Sequence, residues 1–132
     1  MDSTLADLVD DLDRILAAPE TDATWRRHAV GRVESFRDAW VRYHVRSDHE
    51  GGFYHDLEES EPRVTPMVRR LRGESLQMIA WCDEALAVLR SPGSTDAAVR
   101  DSVTRLAVQA HRYRSHETTA THEAVGVDLG SG

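Results

Sequence analysis

The sequence predicts an all-α fold, a single domain over residues 1–132 built as an up-down-up-down four-helix bundle. Three observations carry this. Apolar residues recur every three to four positions in four long segments, the period of one buried helix face. Short punctuation separates the segments, and no run of four to eight residues alternates as a strand would. The 132 residues are also one domain's length, since ordinary domains run roughly 100–200 residues.

The first segment runs from Ser3 to about Ala17, with Leu5, Leu8, Val9, Leu12, Ile15 and Leu16 on one face. Ser3 or Thr4 is placed to cap its start, and Pro19 to stop it. The second runs from about Ala23 to Asp48 and carries Trp25, Ala29, Val33, Phe36, Trp40 and Tyr43/His44, with Gly51-Gly52 ending or bending it. Thr65-Pro66 opens the third, a cap with proline at the first helical position. Its stripe is Met67, Val68, Leu71, Ser75, Met78, Cys82, Ala85 and Leu89, closed by Ser91-Pro92-Gly93. Ser94 is placed to cap the fourth, which carries Val99, Val103, Leu106, Ala110, Tyr113, Glu117, Ala120 and Ala124. From about residue 126, and over Asp128-Leu129-Gly130-Ser131-Gly132, a loose tail is expected.

Composition narrows the function. Sixteen basic against 23 acidic residues give a net charge of −7, which argues against nucleic acid or an anionic membrane as the main partner. All 16 cations are Arg, so a Schiff-base lysine and a P-loop lysine are excluded. The single Cys82 can form neither an internal disulfide nor a cysteine-based metal site. In the apolar stripe of its helix, it reads as a small packed hydrophobe. No apolar stretch approaches the roughly 20 residues of a membrane span. Met1-Asp2-Ser3-Thr4 lacks the basic and apolar regions of a signal peptide, so a cytoplasmic location is expected.

The informative residues are polar ones inside the apolar stripes, because bundle cores are where facing helices build metal sites. His44 and Asp48 share a face of the second helix at i, i+4, and Tyr113 and Glu117 do so on the fourth. Glu74 lies at the edge of the third stripe beside Ser75. A buried carboxylate costs several kcal/mol unless a cation or hydrogen-bond donors meet it. Two readings follow. In one, His44, Asp48, Tyr113 and Glu117, with Glu74, converge on a metal, and that oxygen-rich set suits iron or manganese. In the other, the same groups satisfy each other as a buried network of Tyr–carboxylate and His–carboxylate hydrogen bonds. A repeat is also visible: His44, His49 and His55 are matched by His111, His116 and His122 at the same spacing. At 100° per residue, His49 points about 140° from His44, so the triplets cannot all face inward. Arg42, Arg46, Arg112 and Arg114 flank these residues and would suit an anionic ligand near the bundle end.

The stretch His44-Val45-Arg46-Ser47-Asp48-His49-Glu50-Gly51-Gly52-Phe53 resembles the second-helix signature of hemerythrin-like HHE domains. There a His is followed four residues later by a carboxylate, then by an acidic residue and Gly-Gly before an aromatic. Pro62-Arg63-Val64 through Leu71-Arg72-Gly73-Glu74-Ser75 is similar to the family's run into its Glu-His pair. Glu123-Ala124 with Asp128-Leu129-Gly130 resembles the close of its fourth helix. The resemblance implies a four-helix bundle with a non-haem di-iron centre held by His and carboxylates, in proteins that bind dioxygen, sense oxygen, nitric oxide or redox state, or handle iron and peroxide.

The family's ligands are only partly present. His44 matches the second-helix His, and Asp48 stands where Glu is usual. The first helix has no His, and the Glu-His pair has become Glu74-Ser75. Aligned from its end, the fourth helix puts Tyr113 at the His position and Glu117 at the Glu position; a two-residue shift offers His111 with Ser115 instead. Too few imidazoles remain for a dioxygen carrier. Two expectations are left open. One is a remodelled iron or manganese site serving redox or oxygen-species sensing. The other is a metal-free pseudo-hemerythrin that binds a small ligand or a protein partner. A homodimer through two bundle faces is compatible with either.

Overall fold

A computed structural model describes residues 3–18 and 22–130 of the chain. It holds α1 (Ser3–Ala17), α2 (Ala23–Asp48), α3 (Phe53–Ser60), a 3-10 turn (Pro62–Val64), α4 (Thr65–Arg90) and α5 (Asp96–Gly130). No strand occurs among the described residues. No helix there is long and apolar enough to cross a membrane.

The four long helices pack in a ring, α1 on α2, α2 on α4, α4 on α5 and α5 on α1, so that α1 and α4 face each other diagonally. With 26 residues each, α2 and α4 run about 39 Å, whereas the 15 residues of α1 cover only about 22 Å. The four-segment pattern predicts a plain connection between α2 and α4; the structure builds it as α3 and the 3-10 turn, and α3 packs on α2, α4 and α5. Eight residues with only Tyr54 and Leu57 buried are too few turns for a periodic signal.

The apolar stripes meet in one core. Leu5, Val9, Leu12, Val33, Phe36, Trp40, Val68, Leu71, Met78, Val99, Val103 and Leu106 are all fully or almost fully buried. Each such side chain contributes on the order of 1.5–3 kcal/mol. The helix ends are capped somewhat differently from the sequence expectation. Asp22 Oδ1 accepts from the Trp25 amide of α2 at 2.8 Å, and Thr95, not Ser94, caps α5, its Oγ1 accepting from the Ala98 amide at 3.0 Å. Thr65 is already helical, because the 3-10 turn runs straight into α4, and Glu61 instead accepts from the Arg63 amide. Pro19, expected to stop α1, lies outside the described residues. The tail expected to be loose from about residue 126 instead continues α5 as helix to Gly130, and its last two residues, 131 and 132, also lie outside the described residues.

Gly51-Gly52 ends α2 for two separate reasons. Gly51 has φ +80°, a backbone conformation that disfavours any residue with a Cβ. Gly52 lies against the end of α2, where an added Cβ would stand 2.1 Å from the Arg46 carbonyl oxygen and 2.8 Å from that of Ser47. This close approach sets the start of α3 and thereby the position of Tyr54.

Candidate functional site

Six polar side chains from four helices meet at one level of the core. The 3–4 spacing of the stripes places Tyr43 and His44 of α2, Ser75 of α4, Tyr113 and Glu117 of α5 there, and the Gly-Gly turn adds Tyr54 of α3. Tyr43 donates to Glu117 Oε2. The Tyr43 and Tyr113 hydroxyls are 2.7 Å apart, and those of Tyr54 and Tyr113 2.6 Å apart. A phenol has one proton to give. Since that of Tyr43 goes to Glu117, Tyr113 must donate to Tyr43, and Tyr54 to Tyr113. Three hydroxyls are thus aligned toward one buried carboxylate.

Ser75 anchors the other side. Trp40 Nε1 donates to its carbonyl at 3.0 Å and its Oγ at 3.1 Å, and His44 Nδ1 lies 2.8 Å from the same Oγ. The rings of Trp40 and Tyr113 meet edge to face at 5.0 Å between centroids. Arg72 closes the node from outside. Its Nε donates to Asp48 at 2.7 Å and its Nη1 to Glu58 at 2.5 Å, while its guanidinium lies 5.5 Å over the Tyr54 ring.

Burial sets the protonation states. It pushes the Tyr43 and Tyr113 hydroxyls far above the ordinary phenol range, and the Glu117 charge adds to this. Tyr54 is raised chiefly by burial as well. His44 is lowered by burial, against the pull of Asp48 and with the help of Arg72. Cys82 is pushed up to about 12 by burial, so its sulfur is a packed thiol and not a nucleophile.

Of the five residues expected to converge on a metal, the structure brings Tyr113 and Glu117 into one node, joined through Tyr43. His44 adjoins it through Ser75. Asp48 and Glu74 point elsewhere, Asp48 to Arg72 and Glu74 to His116 Nδ1 at 2.8 and 2.9 Å. The histidine repeat scatters: His55 bonds the Asp48 carbonyl, His111 pairs with Asp13, and His49 and His122 are exposed. Arg42, Arg46, Arg112 and Arg114 are exposed too. Among the described residues no three His, Cys, Asp or Glu side chains are placed together to hold a metal ion. No buried side-chain nitrogen or oxygen there lacks a partner. The predicted five-residue ligand set therefore does not fit a metal as it stands.

Sequence reasoning missed Tyr43 and Tyr54 as site residues. Tyr43 was legible only as a stripe position beside His44, and Tyr54 gave one signal, an aromatic directly after Gly51-Gly52-Phe53. No protein-family model, curated protein or solved structure matches this chain.

Proposed function

We propose that the chain is a divergent hemerythrin-like bundle that works without a metal, as a binding module for a small ligand. One observation supports this above all: the core groups that would have to bind a metal bind each other. Three phenols and a carboxylate are mutually hydrogen-bonded, and each of the remaining candidates has its own partner in the chain. Such a node is stable because every buried polar group is satisfied. Thermal unfolding with excess chelator, and with added ferrous or manganous ion, tests it. A metal at about 100 times its Kd would add about 2.7 kcal/mol, a rise of several degrees. The expected result is an unchanged Tm in all three conditions, and a clear rise with either metal would overturn the reading.

A second reading is favoured by the gathering of three phenol oxygens and a carboxylate oxygen at one point. That hard-donor set suits ferric iron, with Tyr43, Tyr113 and Glu117 holding the ion for redox or oxygen-species sensing. Iron-loaded protein would then be coloured by tyrosinate charge transfer, and Tyr113→Phe would abolish the colour.

A further inference from the structure

A second site lies away from the tyrosine node, in the groove between α1 and the first half of α2. A cavity of about 540 Å³ opens there, within the roughly 300–1,000 Å³ of small-molecule sites. From α1 it is lined by Asp11, Arg14, Ile15 and Ala18; from α2 the key residues are Trp25, Arg27, Gly31 and Arg32. The chain as a whole carries net charge −7, yet this lining holds three Arg and His28 against the single Asp11. Asp11 is already engaged by Arg14 at 3.2 Å.

The arginines of α2 differ in their partners. Arg26 is paired with Asp96 and Arg37 with Asp83. Among the described residues, Arg27 has only a 3.4 Å contact to the Thr24 hydroxyl, and neither it nor Arg32 has a carboxylate partner. Beside these two cations lies a fixed apolar floor. Trp25 is buried, its Nε1 donating to the Ile15 carbonyl at 2.9 Å and the Arg100 guanidinium lying 5.4 Å over its ring. Both contacts fix the indole in place at the edge of the groove.

Gly31 supports the same conclusion. A glycine inside a helix costs about 1 kcal/mol relative to alanine. Here a Cβ would meet nothing within 4 Å, so no neighbouring element requires its absence. Gly31 itself lines the cavity, so a larger side chain at this position would enter it.

From this geometry we infer that the α1–α2 groove is a binding site for a small organic anion. The phosphate or carboxylate group of the ligand meets Arg32, which shares the Trp25 face of α2, with Arg27 at the opposite edge of the groove, and an apolar ring lies against Trp25, Ile15 and Ala18. Guanidinium groups fit such oxyanions in a planar, two-bonded manner. This names the ligand class for the metal-independent binding reading and rests on that reading.

Phenyl phosphate and benzoate are the probes, titrated calorimetrically against the whole chain with and without chelator. Inorganic phosphate and phenol serve as the half-ligands. Saturable one-to-one binding of at least one probe, stronger than either half-ligand, is expected. Arg27→Gln with Arg32→Gln should weaken it at least about tenfold, the scale of one lost charged hydrogen bond. Gly31→Leu should abolish binding while raising Tm, because it fills open space on a helix that prefers leucine. No saturable binding of either probe, or binding indifferent to all three substitutions, overturns the inference. Binding that persists only without chelator would instead place the fault in the metal-independent reading.

Discussion

Raising the pH should unfold this protein through its tyrosines. All three tyrosines of the chain are buried in one node, and each holds its proton more tightly than a free phenol. The sign follows from linkage: where the unfolded chain has released a proton that the native state keeps, stability falls as pH rises. The node's contribution is therefore intact below about pH 10, the value of a free tyrosine, and is lost above it. At about pH 12 the ionisation of Tyr43 and Tyr113 in the unfolded chain favours unfolding by about 2.7 kcal/mol each, together about 5 kcal/mol, and Tyr54 adds in the same direction. That rivals the roughly 5–15 kcal/mol of a whole domain. Cys82 acts in the same direction, and the chain has no lysine to titrate alongside. The assay follows tyrosinate absorbance and helical circular dichroism together through a pH jump series. Both should change in one transition above about pH 11, with no tyrosinate formed while the helices persist. Reversible ionisation near pH 10 in a fully helical protein would refute the buried node.

Three further perturbations address the parts that hold the node in place. Gly52→Ala forces a Cβ onto the end carbonyls of α2 and should cost about 1–3 kcal/mol, read as a lower urea midpoint; a neutral effect would mean that α3 does not start there. His44 is held below its ordinary range, so the native state refuses a proton that the unfolded chain accepts, and stability should fall as pH drops through about 6.5. His44→Gln should flatten that slope by up to about 1.4 kcal/mol per pH unit, and identical slopes in both proteins would contradict the placement of His44. Arg72→Ala removes two half-exposed ion pairs and the contact over Tyr54. It should cost about 1–2 kcal/mol and speed amide exchange selectively in α3; a uniform change over all helices would argue against Arg72 as the clamp.

The long helices were legible because their stripes are regular: Val99 to Ala124 alternates by fours and threes without a break, and every residue of that stripe is buried. The candidate site was legible in part. Tyr113 and Glu117 stand out as polar residues at core positions, and their mutual satisfaction through Tyr–carboxylate bonding was one of the two readings that spacing allowed. Spacing along a helix, however, shows which residues share a face and not which partner reaches them. Asp48 and Glu74 sit at stripe edges, where Arg72 and His116 from neighbouring helices take them up. Tyr54 was hidden because the helix that carries it is only two turns long and is placed by a glycine contact rather than by an apolar period. The α1–α2 groove was hidden for a similar reason, since Ile15 and Ala18 of α1 line one cavity with Trp25 and Arg32 of α2 only when the two helices pack.

Whether the core node is complete without a metal is read from the metal content of untagged protein purified without chelator. Elemental analysis is read together with the visible absorption spectrum. No stoichiometric iron or manganese and no visible band are expected. Near-stoichiometric iron or manganese in the native protein that is lost in Glu117→Gln or Tyr113→Phe would contradict this, and would make the tyrosine node a metal site.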